Sequence, residues 1–330
     1  MGDPTPIDQG PAQLAAALAP ALREACGGRL TEIQWFRSDW QRGGAATGYA
    51  RYRHDDGERE VVVKLPVGPT EHRFTTALAG TQAPTPRVAA HGLELGGYDL
   101  AWLVLERLPG DPLSASMHRE VFAELCAACA AFQKHAGDAF PIDGAAARAG
   151  EMDWEALVDK ARHAVKDSRI PNNGKWNDLL KHAQRVLPKL LSAWKARAVN
   201  SWRHGDLHPG NAMRRPGGSE WGEECCVLLD LAEVQAGHWV EDAVYLERMQ
   251  WGRVAPDGKP LLEGIKTVSL FAKARKALGL ACDDDYGTLA NVRRALTAAT
   301  VPAFLDREGS PAHLEAARDT LDRMLHIVGK

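Results

Sequence analysis

The chain has 330 residues, of which 45% are hydrophobic and 25% charged, and its formal net charge is -3. This length exceeds what one hydrophobic core usually serves, so two lobes are expected, and the small net charge gives no electrostatic reason to expect nucleic acid or an anionic membrane as a partner. Because no apolar run is long enough to span a bilayer, we expect a cytoplasmic protein. We also expect a monomer or a weak homodimer.

The first hundred residues carry the patterns of an antiparallel sheet that one helix interrupts. Asp55-Asp56-Gly57 is a strong signal for a tight hairpin between two strands. The predicted elements are, in chain order, a helix at 11–25, strands at 30–40, 47–54 and 60–65, a helix at 70–79 and a strand at 98–108.

After the turn at 109–112 the apolar residues recur at helical spacing. We predict helices at 113–136, 153–167, 175–198, 239–251, 259–279, 285–300 and 311–327, with two short strands around a turn at 216–218. The patterns together predict an α+β, bilobal protein. A small lobe at 1–107 would hold the antiparallel sheet with one helix, and a larger, mainly helical lobe would occupy 108–330.

The pattern most typical of a chemical function lies at residues 204–211, whose sequence is His-Gly-Asp-Leu-His-Pro-Gly-Asn. Asp206 precedes Asn211 by five residues, and Asp230 follows at the end of an apolar run. Phosphoryl transfer uses one Asp to orient the attacking hydroxyl and accept its proton, and an Asn and a second Asp to hold Mg²⁺. The pattern therefore predicts Asp206 as the catalytic residue and Asn211 and Asp230 as metal ligands.

Two other interpretations of this segment stay open. It could be a Gly/Pro turn with a few polar residues and no chemical role. It could also be a metal site built from His204, Asp206 and His208, although such a site normally has further His or Cys ligands nearby.

Residues 204–211 resemble the catalytic loop of the aminoglycoside phosphotransferase and choline kinase-like superfamily, small-molecule kinases of protein-kinase-like fold. Protein kinases typically have Arg and Lys where this chain has Gly205 and His208. The resemblance continues through 229–233 to Asp242 and covers about residues 30 to 250. It implies that Asp242 is a buried carboxylate that braces the catalytic loop; an N-terminal helix cap is the simpler alternative.

The same resemblance implies a nucleotide site in the first lobe. Lys64, paired with Glu71, would contact the phosphates of ATP, with GTP as a possible substitute. In the interlobe segment, the C=O of Glu106 and the N–H of Leu108 would bind the adenine edge, and Leu105 would pack behind it. The glycine-containing loop at 42–48 is a weaker candidate for phosphate contact, and a flexible hairpin tip is the equal alternative.

The acceptor is predicted to be a hydroxyl of a small molecule: an aminoglycoside or other antibiotic, a sugar or an amino alcohol. A protein kinase is disfavoured by the subtype of the loop, and a non-catalytic nucleotide-binding module by the presence of Asp206, Asn211 and Asp230. The acidic stretch 283–285 could face the acceptor, but a helix N-terminus explains it as well. The pair Cys126 and Cys129 is expected to fill a packing face, with a zinc or redox site as the alternative.

Overall fold

The structure, a computed structural model, describes residues 10–38, 45–142, 151–168, 170–255 and 257–329. The chain divides into two compact units. Unit 1 contains the described residues up to Asp111 together with 213–233, and unit 2 contains the described residues of 112–212 and those from Val234 onward. The chain thus leaves unit 1 and later returns to it. The predicted lobes, 1–107 and 108–330, stay a prediction.

The helices and strands follow the predicted mixture of the two types. In chain order they are α1 (Gly10–Ala25), β1 (Leu30–Ser38), β2 (Ala46–His54), β3 (Gly57–Leu65), α2 (Pro69–Leu78), β4 (Val88–Gly92), β5 (Trp102–Glu106), α3 (Glu120–Ala139), α4 (Trp154–Asp167), α5 (Asn173–Lys195), β6 (Ser201–Arg203), β7 (Ala212–Arg215), β8 (Cys225–Leu228), β9 (Gln235–Gly237), α6 (Val240–Arg248), α7 (Thr267–Ala277), α8 (Tyr286–Thr300), α9 (Leu305–Glu308) and α10 (Pro311–Val328).

Unit 1 is built on an antiparallel five-stranded sheet with the strand order β1-β2-β3-β5-β4. His54 pairs with Gly57, so the predicted hairpin closes through Asp55 and Asp56. Side chains alternate between the two faces of a strand, and the fully buried residues of β3, Val61 and Val63 among them, join the core that also contains Leu22 of α1. The residues between them point to the other face.

Unit 2 is mainly helical. Its core draws apolar side chains from α4, α5, α8 and α10, and the large rings of Trp154, Trp176 and Trp194 are buried in it. Pro188 lies inside α5, so it does not end that helix. The two short strands β6 and β9 pair in this unit. The predicted catalytic loop, which starts at residue 204, directly follows β6.

Several predicted boundaries were too wide. The strand predicted at 98–108 begins only at Trp102, because residues 95–98 form a local turn with positive φ at Gly96 and Gly97. The helix predicted from 113 begins at Glu120, after a separate 3₁₀ turn, and the one predicted from 259 begins at Thr267. Strands β4, β6 and β9 were not predicted, since three to five residues carry little alternation.

No helix among the described residues is long and apolar enough to cross a membrane.

Candidate active site

The loop that follows β6 is held by its own hydrogen bonds. Gly205 has a φ of +85°, a backbone conformation that residues other than glycine rarely adopt. The chain can therefore turn sharply directly before Asp206. The imidazole Nδ1 of His208 accepts a hydrogen bond from the N–H of Gly210 at 3.0 Å, and the N–H of Asn211 donates to the carbonyl of His208 at 2.9 Å. This short 3₁₀ turn fixes the spacing between Asp206 and Asn211.

The carboxylate of Asp206 receives hydrogen bonds on both of its oxygens. Its Oδ1 accepts from the hydroxyl of Tyr245 at 2.5 Å, and its Oδ2 accepts from Nδ2 of Asn211 at 2.8 Å. Nε2 of His208 lies 3.6 Å from the same Oδ2. Burial raises the pKa of Asp206, but the contacts with His208, Tyr245 and Asn211 outweigh it and lower that pKa to about 2. The group is therefore a carboxylate at neutral pH.

Asp242 braces this loop from the N-terminal turn of α6. Its side chain is buried, Oδ2 accepts from the N–H of His204 at 2.9 Å, and Oδ1 accepts from the N–H of Gly205 at 3.0 Å. Nε2 of Gln133 also donates to Oδ2, at 3.1 Å, and the guanidinium of Arg275 donates to Oε1 of Gln133 at 2.5 Å. These contacts match the bracing role that the resemblance implied, rather than a helix cap.

The rival metal site does not form among the described residues. His204 is fully buried, and its Nδ1 accepts from the N–H of Asp206 at 3.3 Å. No group of three or more His, Cys, Asp or Glu side chains that could hold a metal ion occurs in the part of the chain that the structure describes. Cys126 and Cys129 are buried on α3, where burial raises the pKa of both thiols, which is the environment of a packing face.

In unit 1, Lys64, its predicted partner Glu71 and the predicted metal ligand Asp230 form a cluster of three charges. Nζ of Lys64 lies 2.5 Å from Oε1 of Glu71 and 3.4 Å from Oδ1 of Asp230. The predicted pairing of Lys64 with Glu71 is thus present, although only seven residues separate them. Glu71 is buried on α2, and burial raises its pKa while Lys64 opposes that effect. Asp230 is more open, with 48% of its side chain exposed and a φ of +59°.

Lys64 shares one face of the sheet with a row of less buried side chains. It pairs with Thr47 of β2, while its neighbour on this face, Val62, pairs with Tyr49 and with Leu105 of β5. Directly opposite residues of an antiparallel pair point to the same side, so Leu105 lies on the Lys64 face as the nucleotide prediction requires. The predicted phosphate loop at 42–48 lies, up to residue 44, outside the described residues.

Glu106 has a structural function that the sequence did not indicate. Its carboxylate is buried and accepts from Nε and Nη2 of Arg215 at 2.9 and 2.6 Å, and from the N–H of Arg87 at 2.9 Å. The bidentate ion pair fixes the end of β5, where Glu106 and the buried Leu108 were predicted to offer backbone groups to a base.

The residues expected to hold magnesium fit a hard cation. Asn211 uses its Nδ2 for hydrogen bonds to the carbonyl and Oδ2 of Asp206, which leaves its amide oxygen as a metal donor. Asp230 offers a half-exposed carboxylate. Both are oxygen ligands of the kind that Mg²⁺ prefers, and that ion commonly needs only one or two side chains beside substrate phosphates.

The acidic stretch 283–285 divides between the predicted helix N-terminus and a contact that was not predicted. Oδ2 of Asp283 lies 2.6 Å from Nε2 of the buried His238, so this carboxylate anchors the segment before α6. Asp285 occupies the N-cap position of α8, but its side chain makes no capping hydrogen bond there.

The chain is similar to a known protein family and to several solved structures. A model of the phosphotransferase enzyme family matches residues 41–275, and no curated protein matches the sequence. Among solved structures, a Ralstonia eutropha protein assigned to the aminoglycoside phosphotransferases has 17% identity and a TM-score of 0.55, covering 94% of this chain and 98% of its own.

Two further solved structures are similar over most of the chain. A microcompartment-associated aminopropanol kinase has 12% identity and a TM-score of 0.53, with 96% of both chains covered. An amicoumacin kinase, in complex with AMP-PNP, Ca²⁺ and Ami, has 14% identity and a TM-score of 0.51, covering 96% of this chain and 95% of its own. These likenesses confirm the predicted protein-kinase-like fold.

Proposed function

We propose that this chain, which belongs to the phosphotransferase enzyme family, transfers the γ-phosphate of ATP to a hydroxyl of a small molecule with the help of Mg²⁺. Asp206 is the catalytic carboxylate of this proposal, and Asn211 and Asp230 are the metal ligands. Lys64, paired with Glu71, contacts the nucleotide phosphates, and the segment from Leu105 to Leu108 contacts the base.

One observation carries the proposal: a carboxylate that stays ionised, held on both oxygens, in a loop braced by a second buried carboxylate. Phosphoryl transfer proceeds through a loose transition state in which the hydroxyl proton leaves late. A strong base is therefore unnecessary, and a low pKa of Asp206 suits a group whose task is to orient the hydroxyl and receive its proton.

The cation of Lys64 supports the nucleotide part. Glu71 is buried and fixes the ammonium from one side, while the contact with the more open Asp230 is longer, at 3.4 Å. An ammonium held in this way neutralises charge that develops on phosphate oxygens and needs no rearrangement during the reaction. Magnesium, when bound by Asn211 and Asp230, would neutralise further phosphate charge.

A cavity of about 1250 Å³ in unit 2 supports a small-molecule acceptor. Its wall includes Glu247 near the C-terminal end of α6 and the aromatic residues Trp251 and Tyr286, and no residue of the catalytic loop 204–211 lines it. Binding sites for small molecules combine such apolar surfaces with a few polar groups.

The charges of this cavity are balanced, with four carboxylates and four cations in its lining. Its buried Glu247 is also paired, since Nε and Nη2 of Arg294 lie 2.6 and 2.7 Å from its two oxygens. A balanced lining offers less attraction to a polycation than an acidic one. Among the predicted acceptors we therefore favour a sugar or an amino alcohol over a highly charged aminoglycoside.

An acceptor screen tests the proposal. ADP release with Mg²⁺ and ATP is measured for aminoglycosides, other antibiotics, sugars, amino alcohols and a generic protein, and products are identified by mass. We expect a small molecule to gain one phosphoryl group. Asp206→Asn should lower this turnover by about 10²- to 10⁴-fold while nucleotide binding persists. The proposal would be overturned if the generic protein were the only acceptor phosphorylated. Unchanged turnover in Asp206→Asn would overturn it as well.

A further inference from the structure

The two oxygens of the Asp206 carboxylate are held by residues of different origin. Asn211, on the same loop, holds Oδ2, whereas Tyr245, from helix α6, donates its hydroxyl to Oδ1. A carboxylate offers about four lone-pair positions, so a contact on each oxygen still leaves room for an acceptor hydroxyl. Because both oxygens are held, the plane of the carboxylate cannot rotate freely about the side-chain bond.

Tyr245 shares a face of α6 with the bracing residue. It follows Asp242 by three residues, and residues at that spacing lie next to each other on a helix. Asp242 binds the backbone N–H groups of His204 and Gly205, and Tyr245 binds the side chain of Asp206. One helix face thus holds both the backbone before the catalytic residue and its reacting group.

In its contact with Asp206, the hydroxyl of Tyr245 acts as the hydrogen-bond donor. Burial, together with the contact with Asp206, raises its pKa, so the phenol stays protonated at neutral pH. It therefore neither takes the proton of the acceptor nor carries a negative charge to repel the phosphates. What remains for this residue is a geometric role.

We propose that Tyr245 is a positioning residue that holds Oδ1 of Asp206 and thereby aims the carboxylate at the acceptor hydroxyl. The inference rests on the proposed function, in which Asp206 orients that hydroxyl. Hydrogen bonds to an ionised group are among the stronger ones in proteins, so loss of this contact should cost transition-state alignment rather than substrate binding.

A double-mutant cycle tests this role. Tyr245→Phe keeps the ring and removes only the donor. With Mg²⁺, ATP and the most active acceptor of the screen, we expect kcat to fall about tenfold, which corresponds to about 1.4 kcal/mol. The KM values for ATP and for the acceptor should change by less than about twofold. In the Asp206→Asn background, the same substitution should change the residual turnover by less than about twofold.

The matched control is Tyr52→Phe, which removes the hydroxyl of a buried tyrosine in the core of unit 1 and should leave kcat unchanged. An equal fall of turnover in both backgrounds would show a structural defect and overturn the inference, as would an unchanged kcat in Tyr245→Phe. If the wild-type protein phosphorylates none of the small molecules, it is the proposed function that fails, before this comparison begins.

Discussion

The ammonium of Lys64 contacts two carboxylates that differ in their burial. Glu71 is buried, whereas about half of the Asp230 side chain is exposed. Removing a partner from a buried charge is costly, so the contact with Glu71 is the structural one. The longer contact with Asp230 joins residues 166 positions apart and can be exchanged for a phosphate oxygen or a metal ion more easily.

Lys64→Met should therefore weaken nucleotide binding. Hydrogen bonds to charged groups contribute about 1.5–3 kcal/mol, so we expect the Kd for Mg²⁺ and ATP to rise about 10- to 100-fold in a calorimetric titration. Lys181→Met, which removes an exposed lysine of unit 2, is the control and should leave the Kd unchanged. An unaltered Kd in Lys64→Met would remove this residue from the nucleotide site.

Local sequence was enough to predict some residues of the site and not others. The short spacings of Asp206 to Asn211 and of Lys64 to Glu71 could be seen directly, and both pairs are in contact. Tyr245 could not be predicted, because a tyrosine on a helix is usually a packing residue, and its partner lies 39 residues away. Such contacts depend on how helices pack, which cannot be predicted from the local sequence.

Among the elements, four parts of unit 2 meet at the carboxylate of Glu241 on α6. Oε1 lies 3.5 Å from Nε of Arg197, which follows α5, and Oε2 lies 3.6 Å from Arg203 at the end of β6 and from Arg293 of α8. Burial raises the pKa of Glu241, but the three cations outweigh it and lower that pKa below its ordinary value of 4.5. The carboxylate thus ties these elements together.

Glu241→Gln should destabilise unit 2. Removing one partner of a buried ion pair typically costs about 3–5 kcal/mol at neutral pH. Since the pKa of Glu241 is depressed in the folded state, its contribution is complete above pH 4.5 and is lost as the pH falls through the folded-state value. The free-energy difference between wild type and variant in urea unfolding should accordingly shrink from pH 7 to pH 3.

Glu315→Gln provides the comparison for this measurement, because its carboxylate is 65% exposed and pairs with Arg318. Exposed pairs usually contribute less than about 1 kcal/mol, so this variant should unfold like the wild type. A stability difference for Glu241→Gln that is small, or that grows on acidification, would contradict the role assigned to this carboxylate.

Element types were predicted better than element limits. The long helices of unit 2 have enough turns for helical spacing to be clear, and α5, α8 and α10 were all predicted within a few residues. Strand β4 and the pair β6 and β9 were not predicted, since their pairing comes from neighbours distant in sequence.

For the whole molecule, the binding of a ligand can be followed through the stability of the fold. A ligand that binds the folded protein and not the unfolded chain stabilises it by mass action, about 2.7 kcal/mol at 100 times its Kd. A shift of the thermal unfolding temperature therefore detects nucleotide binding even when the acceptor is unknown.

Mg²⁺ and ATP together should raise the Tm by a few degrees at saturation. The shift should be much smaller when EDTA removes the metal, and smaller in Asp230→Ala than in the wild type. Asp178→Ala, which removes an exposed carboxylate, should keep the full shift. Equal shifts with and without metal, or a full shift in Asp230→Ala, would contradict the assignment of Asp230 as a metal ligand.

The mixture of a small antiparallel sheet with a helical region was predictable from the change of spacing after residue 112. The return of 213–233 to unit 1 was not, because the hairpin of β7 and β8 is too short to show which part of the chain it joins. Arg215, in that hairpin, is polar and carries no local sign of being buried.

The ion pair of Glu106 with Arg215 bears on how the protein is made. The two residues are 109 positions apart, and both are almost completely buried. A ribosome that has released only the first 111 residues has produced the five strands of the sheet, but not the cation that neutralises the carboxylate at the end of β5. Completion of this unit must await synthesis of the returning hairpin, so a fragment that stops before it is a poor candidate for independent folding.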